Sequence, residues 1–408
     1  GGKSRNTIVA DTVSAGAVSV SVGGEGGDGG TAGTVYVENT GILDIQGESS
    51  MGIAATSQGG EGGNSGATIT GSVITGSSIS VGIGGGGGEG GVADQVEVYN
   101  SGDITTVADR GYGILAQSIG GAGGSGSTVV NADPFAGVTS DATDGLSGNA
   151  QFSLGGSGGD GGVGGYVYIN NYATITTSGE KAHAMLGQSL GGNGGAGGAT
   201  YTVDLDWGTQ SSINAQVSIG GSGADGAEAS KVDMTNQGSI RTTGLYSHGM
   251  FGQSIGGSGG AGGNVQTFSF STSEQWDFGV SVSVGGDGGD GSEANQVELI
   301  YLGDIKVDSE GSTAMYAQSI GGDGGDGGTA TTHLIGITEA TGKSTALNIS
   351  ASIGGTGGTG NDADTVKVKN YGTITTIGAT GDGIFAQSVG GGGGDGGEAE
   401  AAYIGKID

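Results

Sequence analysis

A step of 36 residues between glycine pairs recurs six times along this chain of 408 residues. The constant legs cover residues 23–59, 84–120, 155–191, 220–256, 285–321 and 354–390. The legs between them vary, with glycine-to-glycine steps of 25, 35, 29, 29 and 33 residues. A flexible linker shows no such contrast, so the spacing predicts a single repeat array over residues 1–408 rather than several globular domains.

Glycine-rich runs of the type GGxGGxGG bound each constant leg, as at residues 155–162 and 191–198. In a threefold extended helix, positions three apart share one edge, so two edges of such a run are bare glycine. This helix has no internal hydrogen bonds, and ordering glycine is entropically costly, so its amides need neighbouring partners. We therefore expect packed polyglycine II segments, two per repeat, rather than disordered loops. The single proline and the lack of a Gly-X-Y period exclude collagen.

Residues between the two glycine runs alternate in polarity. In the fourth repeat Val232, Met234, Ile240, Thr242 and Met250 share one register. Period-two runs bounded by Asn and Gly predict three short strands separated by tight turns. No segment has helical periodicity, so the fold class expected is an all-β repeat protein, an elongated β-solenoid-like array of six repeats.

Two amide residues recur at fixed repeat positions. One column contains Asn39, Asn100, Asn171, Asn236 and Asn370, interrupted by Tyr301, and the other contains Gln117, Gln188, Gln253, Gln318 and Gln387. Such columns predict amide ladders between stacked repeats or, for Asn, left-handed turn positions.

The variable legs resemble hairpins with polar tips, for example residues 200–207 turning into residues 213–219. The rarer aromatic residues collect in these legs: Phe135, Trp207, Phe268, Phe270, Trp276 and Phe278. They either close local cores or form exposed contact loops for a partner, and insertions in repeat proteins commonly mark the interaction face.

The string GYGILAQSIGGAGGSG at residues 111–126, preceded by VEVYNSGDITT at 96–106, resembles the glycine-rich repeats of large bacterial autotransporter and surface adhesin passengers. Similar strings recur at residues 182–198, 315–328 and 383–397, whereas the first repeat departs, reading GIAATSQGGEGG at 52–63, which puts its local turn in doubt. The resemblance implies a secreted passenger on the bacterial cell surface with a β-solenoid-like body.

Charge and composition narrow the partners. The 41 acidic residues outnumber 11 basic ones, and the net charge of −30 disfavours nucleic acid and anionic membranes. No apolar run approaches the roughly 20 residues that span a bilayer, so no membrane insertion by this segment is expected. The absence of cysteine suits export, and the ends fall within a repeat, which predicts a fragment of a longer chain.

Calcium is the one cofactor that the glycine runs suggest, because GGxGxDxUx repeats bind it in stacked turns. The aliphatic position of that motif is missing here, so the expectation is no cofactor, with a loose acidic ridge as the remaining calcium candidate. The ridge consists of Asp28, Asp160, Asp225, Asp287, Asp290, Asp323 and Asp326. His183 and His248 share a repeat position, where they could stack in adjacent repeats. Two histidines do not make a zinc site, so we interpret the pair as a coincidence at a tolerant surface position.

No nucleophile elbow, zinc-protease motif or phosphate-binding loop occurs, so no enzyme is expected. The predicted function is an extracellular structural or adhesin protein that forms a rigid stalk or surface fibre. Its partners would be host or neighbouring-cell surface molecules, or copies of itself in a homopolymer. Alternatives are a calcium-binding structural repeat, a self-assembling filament subunit and an ice-binding protein, although the mixed acidic ridge lacks the regular Thr face that ice binding needs.

Overall fold

The computed structural model describes residues 4–10, 17–74, 77–136, 146–207, 211–273, 276–338 and 345–407. Within these ranges every regular element is a β-strand. The strands of the first half are β1 (Ser4–Ala10), β2 (Ala17–Val22), β3 (Val35–Asn39), β4 (Leu43–Ile45), β5 (Ile53–Gln58), β6 (Thr68–Ile74), β7 (Ser78–Ile83), β8 (Val96–Asn100), β9 (Ile104–Thr106), β10 (Ile114–Ile119), β11 (Val129–Ala136), β12 (Leu146–Leu154), β13 (Val167–Asn171), β14 (Ile175–Thr177) and β15 (Met185–Leu190).

The second half repeats the same order of long and short strands. These strands are β16 (Thr200–Asp206), β17 (Ser211–Ile219), β18 (Val232–Asn236), β19 (Ile240–Thr242), β20 (Met250–Ile255), β21 (Val265–Ser273), β22 (Trp276–Val284), β23 (Val297–Tyr301), β24 (Asp304–Val307), β25 (Met315–Ile320), β26 (Ala330–Thr338), β27 (Thr345–Ile353), β28 (Val366–Asn370), β29 (Thr373–Thr376), β30 (Ile384–Val389) and β31 (Ala399–Ile407).

Every fifth strand pairs in parallel, which produces five sheets. Sheet A runs from β1 to β31, sheet B from β2 to β27, sheet C from β3 to β28, sheet D from β4 to β29 and sheet E from β5 to β30. One coil passes from sheet B through a first glycine segment to C, D and E, and then through a second glycine segment to A. The array is thus all-β and β-solenoid-like. With strands about 4.8 Å apart, the seven strands of sheet A stack over about 29 Å.

The apolar core lies inside sheets C, D and E. Val232, Met234, Ile240, Thr242 and Met250 are at most 1 % exposed. They lie on β18, β19 and β20, so the three predicted short strands of the constant leg are confirmed. Parallel pairing places equivalent residues of neighbouring coils in contact, and the resulting cluster continues through the array from Ile53 to Met315 and beyond.

The first coil keeps this register despite its divergent sequence. Its strand β5 pairs residue by residue with β10, and Thr56 lies opposite Gln117. Ser49 has a φ of 53°, matching Arg110 with a φ of 55° in the next coil. The departure from the repeat motif therefore changes side chains and leaves the turn in place.

The hairpin interpretation of the variable legs needs correction. Strands β16 and β17 belong to sheets A and B, and each hydrogen-bonds within its own sheet rather than to the other. The two sheets instead face each other through side chains, as in the contact of Thr202 Oγ1 with Ser218 Oγ at 2.7 Å. Each variable leg is therefore a β-arch, in which two consecutive strands belong to different sheets that face each other.

A polar interior fills the space between sheets A and B. Ser, Thr, Asn, Gln and Asp occupy its buried positions; Ser153, Thr202, Asn214 and Asp277 are at most 3 % exposed. Hydroxyl pairs cross the interface, including Ser283 to Thr267 at 2.8 Å and Thr332 to Ser283 at 2.7 Å. Most apolar residues of these strands face outward, although Val129, Val265, Ala330 and Leu334 of sheet A are buried.

The glycine segments lie between these two interiors and hydrogen-bond in two directions. Gly87 N donates along the stack to Ser157 O of the next coil at 2.9 Å. Gly88 N donates across to Gly63 O of a second segment at 2.9 Å, and Gly88 O accepts from Gly124 N at 2.8 Å. The pattern recurs every three residues, so the segments are ordered and mutually paired.

Close approach explains why the first residue of each triplet is glycine. A Cβ built on Gly87 would lie 1.9 Å from Gly124 O, whereas a Cβ on the neighbouring Gly86 would meet only Ser157, at 3.5 Å. In the glycine segments between sheets B and C, the first position of each triplet is always glycine. The second position is alanine at Ala224 and Ala227.

The amide ladders are confirmed. Asn39 Nδ2 donates to Asn100 Oδ1 at 2.7 Å, and Asn100 Nδ2 to Asn171 Oδ1 at 2.6 Å. The Gln column is continuous from Gln117 to Gln387.

Left-handed residues occupy a different turn, the one before sheet E: Ser49, Arg110, Lys181, Tyr246, Gly311 and Thr380. The left-handed alternative for the Asn column is therefore wrong; Asn side chains bond the main chain two residues on, as Asn100 does to Gly102 O at 2.8 Å.

Candidate functional surfaces

All seven aspartates of the predicted acidic ridge occupy the third position of a glycine triplet, and each accepts a main-chain N–H from the following coil. The donor–acceptor distances lie between 2.7 and 3.2 Å, and the pairs are Glu89 to Asp28, Asp225 to Asp160, Asp290 to Asp225, Thr356 to Asp287, Thr359 to Asp290, Gly392 to Asp323 and Asp395 to Asp326. The carboxylates thus satisfy the one amide per triplet that points away from the other glycine segments.

For Asp287, this contact also favours the ionised form. Main-chain and side-chain hydrogen bonds from Thr356 lower the pKa of Asp287, against a smaller effect of burial. Asn64 and Asn193 take the same position and accept the N–H of Ser125 and Ser258 at 2.7 and 2.9 Å. Since a neutral amide serves as well, the contact requires a short oxygen acceptor where it forms, but not a charge.

Within the described ranges, no three His, Cys, Asp or Glu side chains group closely enough to hold a metal ion. The same part of the chain contains no helix with the length and apolar character to cross a bilayer.

The two histidines stack in adjacent coils, and the predicted surface position is wrong, because His183 is buried and His248 is half-buried. The rings of His183 and His248 lie 4.8 Å apart and 16° from parallel, and the Tyr112 ring stacks on the other side of His183. His183 Nδ1 accepts the N–H of His248 at 2.9 Å, and His248 Nδ1 accepts the N–H of Thr313 at 2.9 Å. Burial, followed by the neighbouring His248, lowers the pKa of His183 to about 3, and burial lowers the pKa of His248. The column is therefore neutral at pH 7.

The aromatic residues of the variable legs lie on or beside the strands of sheets A and B. Trp207 and Trp276 are 46 % and 60 % exposed, and Phe278 is 39 % exposed. Phe268 and Phe270 are half-buried on β21, and Phe270 contacts Trp207 with ring centroids 5.0 Å apart. Phe135 belongs to β11, but its side chain falls outside the part that the structure describes. The described aromatics therefore face outward instead of closing a core between the two sheets.

Apolar residues occupy most outward positions of sheet B over all six strands, while Ser211 and Thr345, at the start of their strands, are polar. We call this surface the sheet-B face; it comprises Val18, Val20, Val22, Ile79, Val81, Ile83, Ala150, Phe152, Leu154, Ile213, Ala215, Val217, Ile219, Phe278, Val280, Val282, Val284, Leu347, Ile349, Ala351 and Ile353. No charged residue occurs among them. Sheet A differs, since its outward positions include Gln266, His333 and Glu400.

Buried carboxyl groups lie in the polar interior between sheets A and B. Asp133 Oδ1 accepts from the N–H and hydroxyl of Ser72 at 2.6 and 2.7 Å. Asp204 is fully buried, and burial, with Asp206 and Asp133 nearby, raises its pKa well above the ordinary value. These groups are enclosed among hydroxyl and amide side chains.

The serine of the AQS motif has a role that sequence reasoning missed. Ser118 Oγ donates to Asp94 O at 2.8 Å within its own coil and accepts Gly165 N–H of the next coil at 2.7 Å. Ser189 and Ser254 make the equivalent pairs. In the sequence, the constant position of this serine two residues before the glycine pair could have indicated its role. The serine joins sheet E to the segment that enters sheet C, both in its own coil and in the next.

Comparison with protein-family models, curated proteins and solved structures yields no match for this chain.

Proposed function

We propose that this chain is an extracellular structural or adhesin protein that forms a rigid stalk or surface fibre on the bacterial cell. The observation that supports this role is the continuous parallel pairing of all five sheets from the first coil to the last, which a register shift between β11 and β16 does not interrupt. Length differences among the variable legs are taken up at the arches, so loops can diversify while the body keeps its geometry.

Rigidity in this proposal comes from main-chain pairing rather than from a large core. The hydrogen bonds in two directions with a three-residue period support polyglycine II helices in the glycine segments. Segments of this kind fill the middle of each coil with backbone, and their amides are paired, so the cross-section resists bending. A crystal structure whose glycine segments depart from φ near −75° and ψ near +145° would remove that part of the proposal.

The body would present its outward side chains along its sides. Each coil adds only about 4.8 Å of length, although it contains between 61 and 71 residues. Such a wide layer suits lateral contacts with host or neighbouring-cell molecules, made by Trp207, Trp276 and the arch tips.

Location is tested on intact source cells. Externally added protease should cleave the chain, and immunogold labelling should lie outside the cell envelope, while a cytoplasmic marker stays intact. Labelling confined to the cytoplasm would overturn the proposal.

Electron micrographs of the purified chain test shape separately: uniform rigid particles fit a stalk segment, regular long fibres fit a fibre subunit, and irregular collapsed particles fit neither.

A further inference from the structure

The sheet-B face has the inverse of the usual sheet pattern. Along β2, β7 and β17 the serines and amides are buried against sheet A, and the aliphatic side chains point to solvent. Val18, Ile79, Ile213 and Ile349 are 42–61 % exposed. Water-soluble monomers rarely leave so continuous an apolar surface uncovered, so the face calls for an occupant.

Its size corresponds to a protein interface. Six strands at about 4.8 Å and about seven residues at 3.3 Å give an area on the order of 650 Å², before side-chain relief is counted. Stable complexes bury about 600–1,000 Å² per partner. The face is thus large enough for a specific dimer and larger than any contact that a single inserted side chain would make.

Its chemistry selects the partner. The face holds no charge and no cleft, which disfavours a polar or small-molecule ligand, and the net charge of −30 disfavours an anionic membrane. Equivalent residues of successive coils, such as Val22, Ile83 and Leu154, form rows perpendicular to the strands, with one residue from each coil. Two copies of such a face have matching ridges and grooves and can pack like the inner faces of a β-sandwich.

We infer that the sheet-B face binds the sheet-B face of a second copy of this chain, related by a twofold axis. The inverted burial pattern of sheet B follows from the polar interior. Hydroxyl contacts hold sheets A and B together, so the aliphatic side chains lie on the outer side, where they can bind the second copy. The pairing does not depend on the stalk role: a cytoplasmic protein could dimerise in this way, and an extracellular monomer would refute the dimer alone.

The test is sedimentation velocity of the full chain, whose monomer is 38.7 kDa. Wild type should sediment as a dimer at about 10 μM, with tighter association in high salt because screening reduces repulsion between two anionic copies. The double variant Ile213→Lys/Phe278→Lys should weaken association at least a hundredfold with an unchanged far-ultraviolet circular dichroism spectrum, and its melting temperature should no longer depend on protein concentration. The matched control Val107→Lys/Leu245→Lys, at residues 41 % and 47 % exposed outside the face, should remain dimeric.

Cross-linking gives a readout that does not depend on affinity. The chain has no cysteine, so Val217→Cys introduces a single thiol near the centre of the face. Oxidation should yield a covalent dimer in that variant and not in Val107→Cys. A wild type that stays monomeric at about 100 μM, a control pair that dissociates as much as the face variant, or a monomer that binds neutral phosphatidylcholine vesicles would each overturn the inference.

Discussion

At the residue scale, the strongest constraint is steric and falls on the two glycines of each triplet. A Cβ on either would meet a main-chain carbonyl of a neighbouring segment, at 1.9 Å for Gly87 and 2.2 Å for Gly88. The third position faces outward and accepts many side chains. The glycine spacing made this division predictable from sequence, because two bare edges follow from a threefold period.

Adjacent glycines provide a matched test. Gly87→Ala should lower the free energy of unfolding by about 3 kcal/mol or more, because the facing backbone must move. Gly86→Ala, one residue away and in ordinary contact distance of Ser157, should change it by less than about 1 kcal/mol. Thermal and denaturant unfolding measure both, and equal effects would contradict the packed arrangement of the segments.

The histidine column predicts loss of stability in weak acid. The folded pKa of His183, about 3, lies below the unfolded value of 6.5, so the unfolded chain binds more protons between these values. Stability is then fully present above pH 6.5 and declines as the pH falls, by about 1.4 kcal/mol per unit for this residue.

The control for that pH effect keeps the hydrogen bond and removes the titration. His183→Asn retains an acceptor for the N–H of His248. Between pH 6.5 and 5.5 the variant should therefore lose less stability than wild type, by about 1 kcal/mol. Parallel curves for the two proteins would show that His183 does not titrate differently on folding.

At the element scale, the sheets divide into those whose inward side was predictable and those whose inward side was not. In sheets C, D and E the apolar register identified the core, as with Val232 and Met234. In sheets A and B the alternation VSVSV at residues 18–22 has the same period whichever side is buried. The structure buries the serines, because hydroxyls such as Thr202 and Ser218 bond across the arch, a partner choice that no single strand reveals.

Two buried aspartates of the arches should respond oppositely to the same substitution. The raised pKa of Asp204 means that its folded state binds more protons than the unfolded state above pH 4, so its burial destabilises the protein at neutral pH. Asp204→Asn should therefore raise the free energy of unfolding at pH 7 by about 1–3 kcal/mol, with the gain disappearing toward pH 4.

Asp277 is the control because its carboxylate is well supplied with donors. It accepts from Ser212 at 2.8 Å, Ser271 at 3.0 Å and Asn348 at 3.0 Å. Asp277→Asn should lower the free energy of unfolding by about 1–3 kcal/mol, since an amide group would face these donors. Urea unfolding at pH 7 compares the pair, and a loss in both variants would contradict the assigned difference.

At the scale of the whole molecule, each coil is a wide layer held to its neighbours by parallel ladders, ridge carboxylates and amide columns. The repeat count and the constant leg followed from glycine spacing alone. The acidic ridge was harder to interpret from sequence, because the direction of the third amide is set by packing. Asp225, for example, serves the coil that follows it through the N–H of Asp290.

Layer-by-layer stacking predicts how the molecule grows. A second copy of residues 155–353, inserted after Ile353, restores the Ile–Gly junction of the native chain and adds three coils. Under conditions that keep both chains monomeric, small-angle X-ray scattering should show a length greater by about 14 Å, three layers of about 4.8 Å, with an unchanged cross-section. An increase of several tens of ångströms, or a thicker cross-section, would mean that the added repeats form a separate body and would contradict the stacked array.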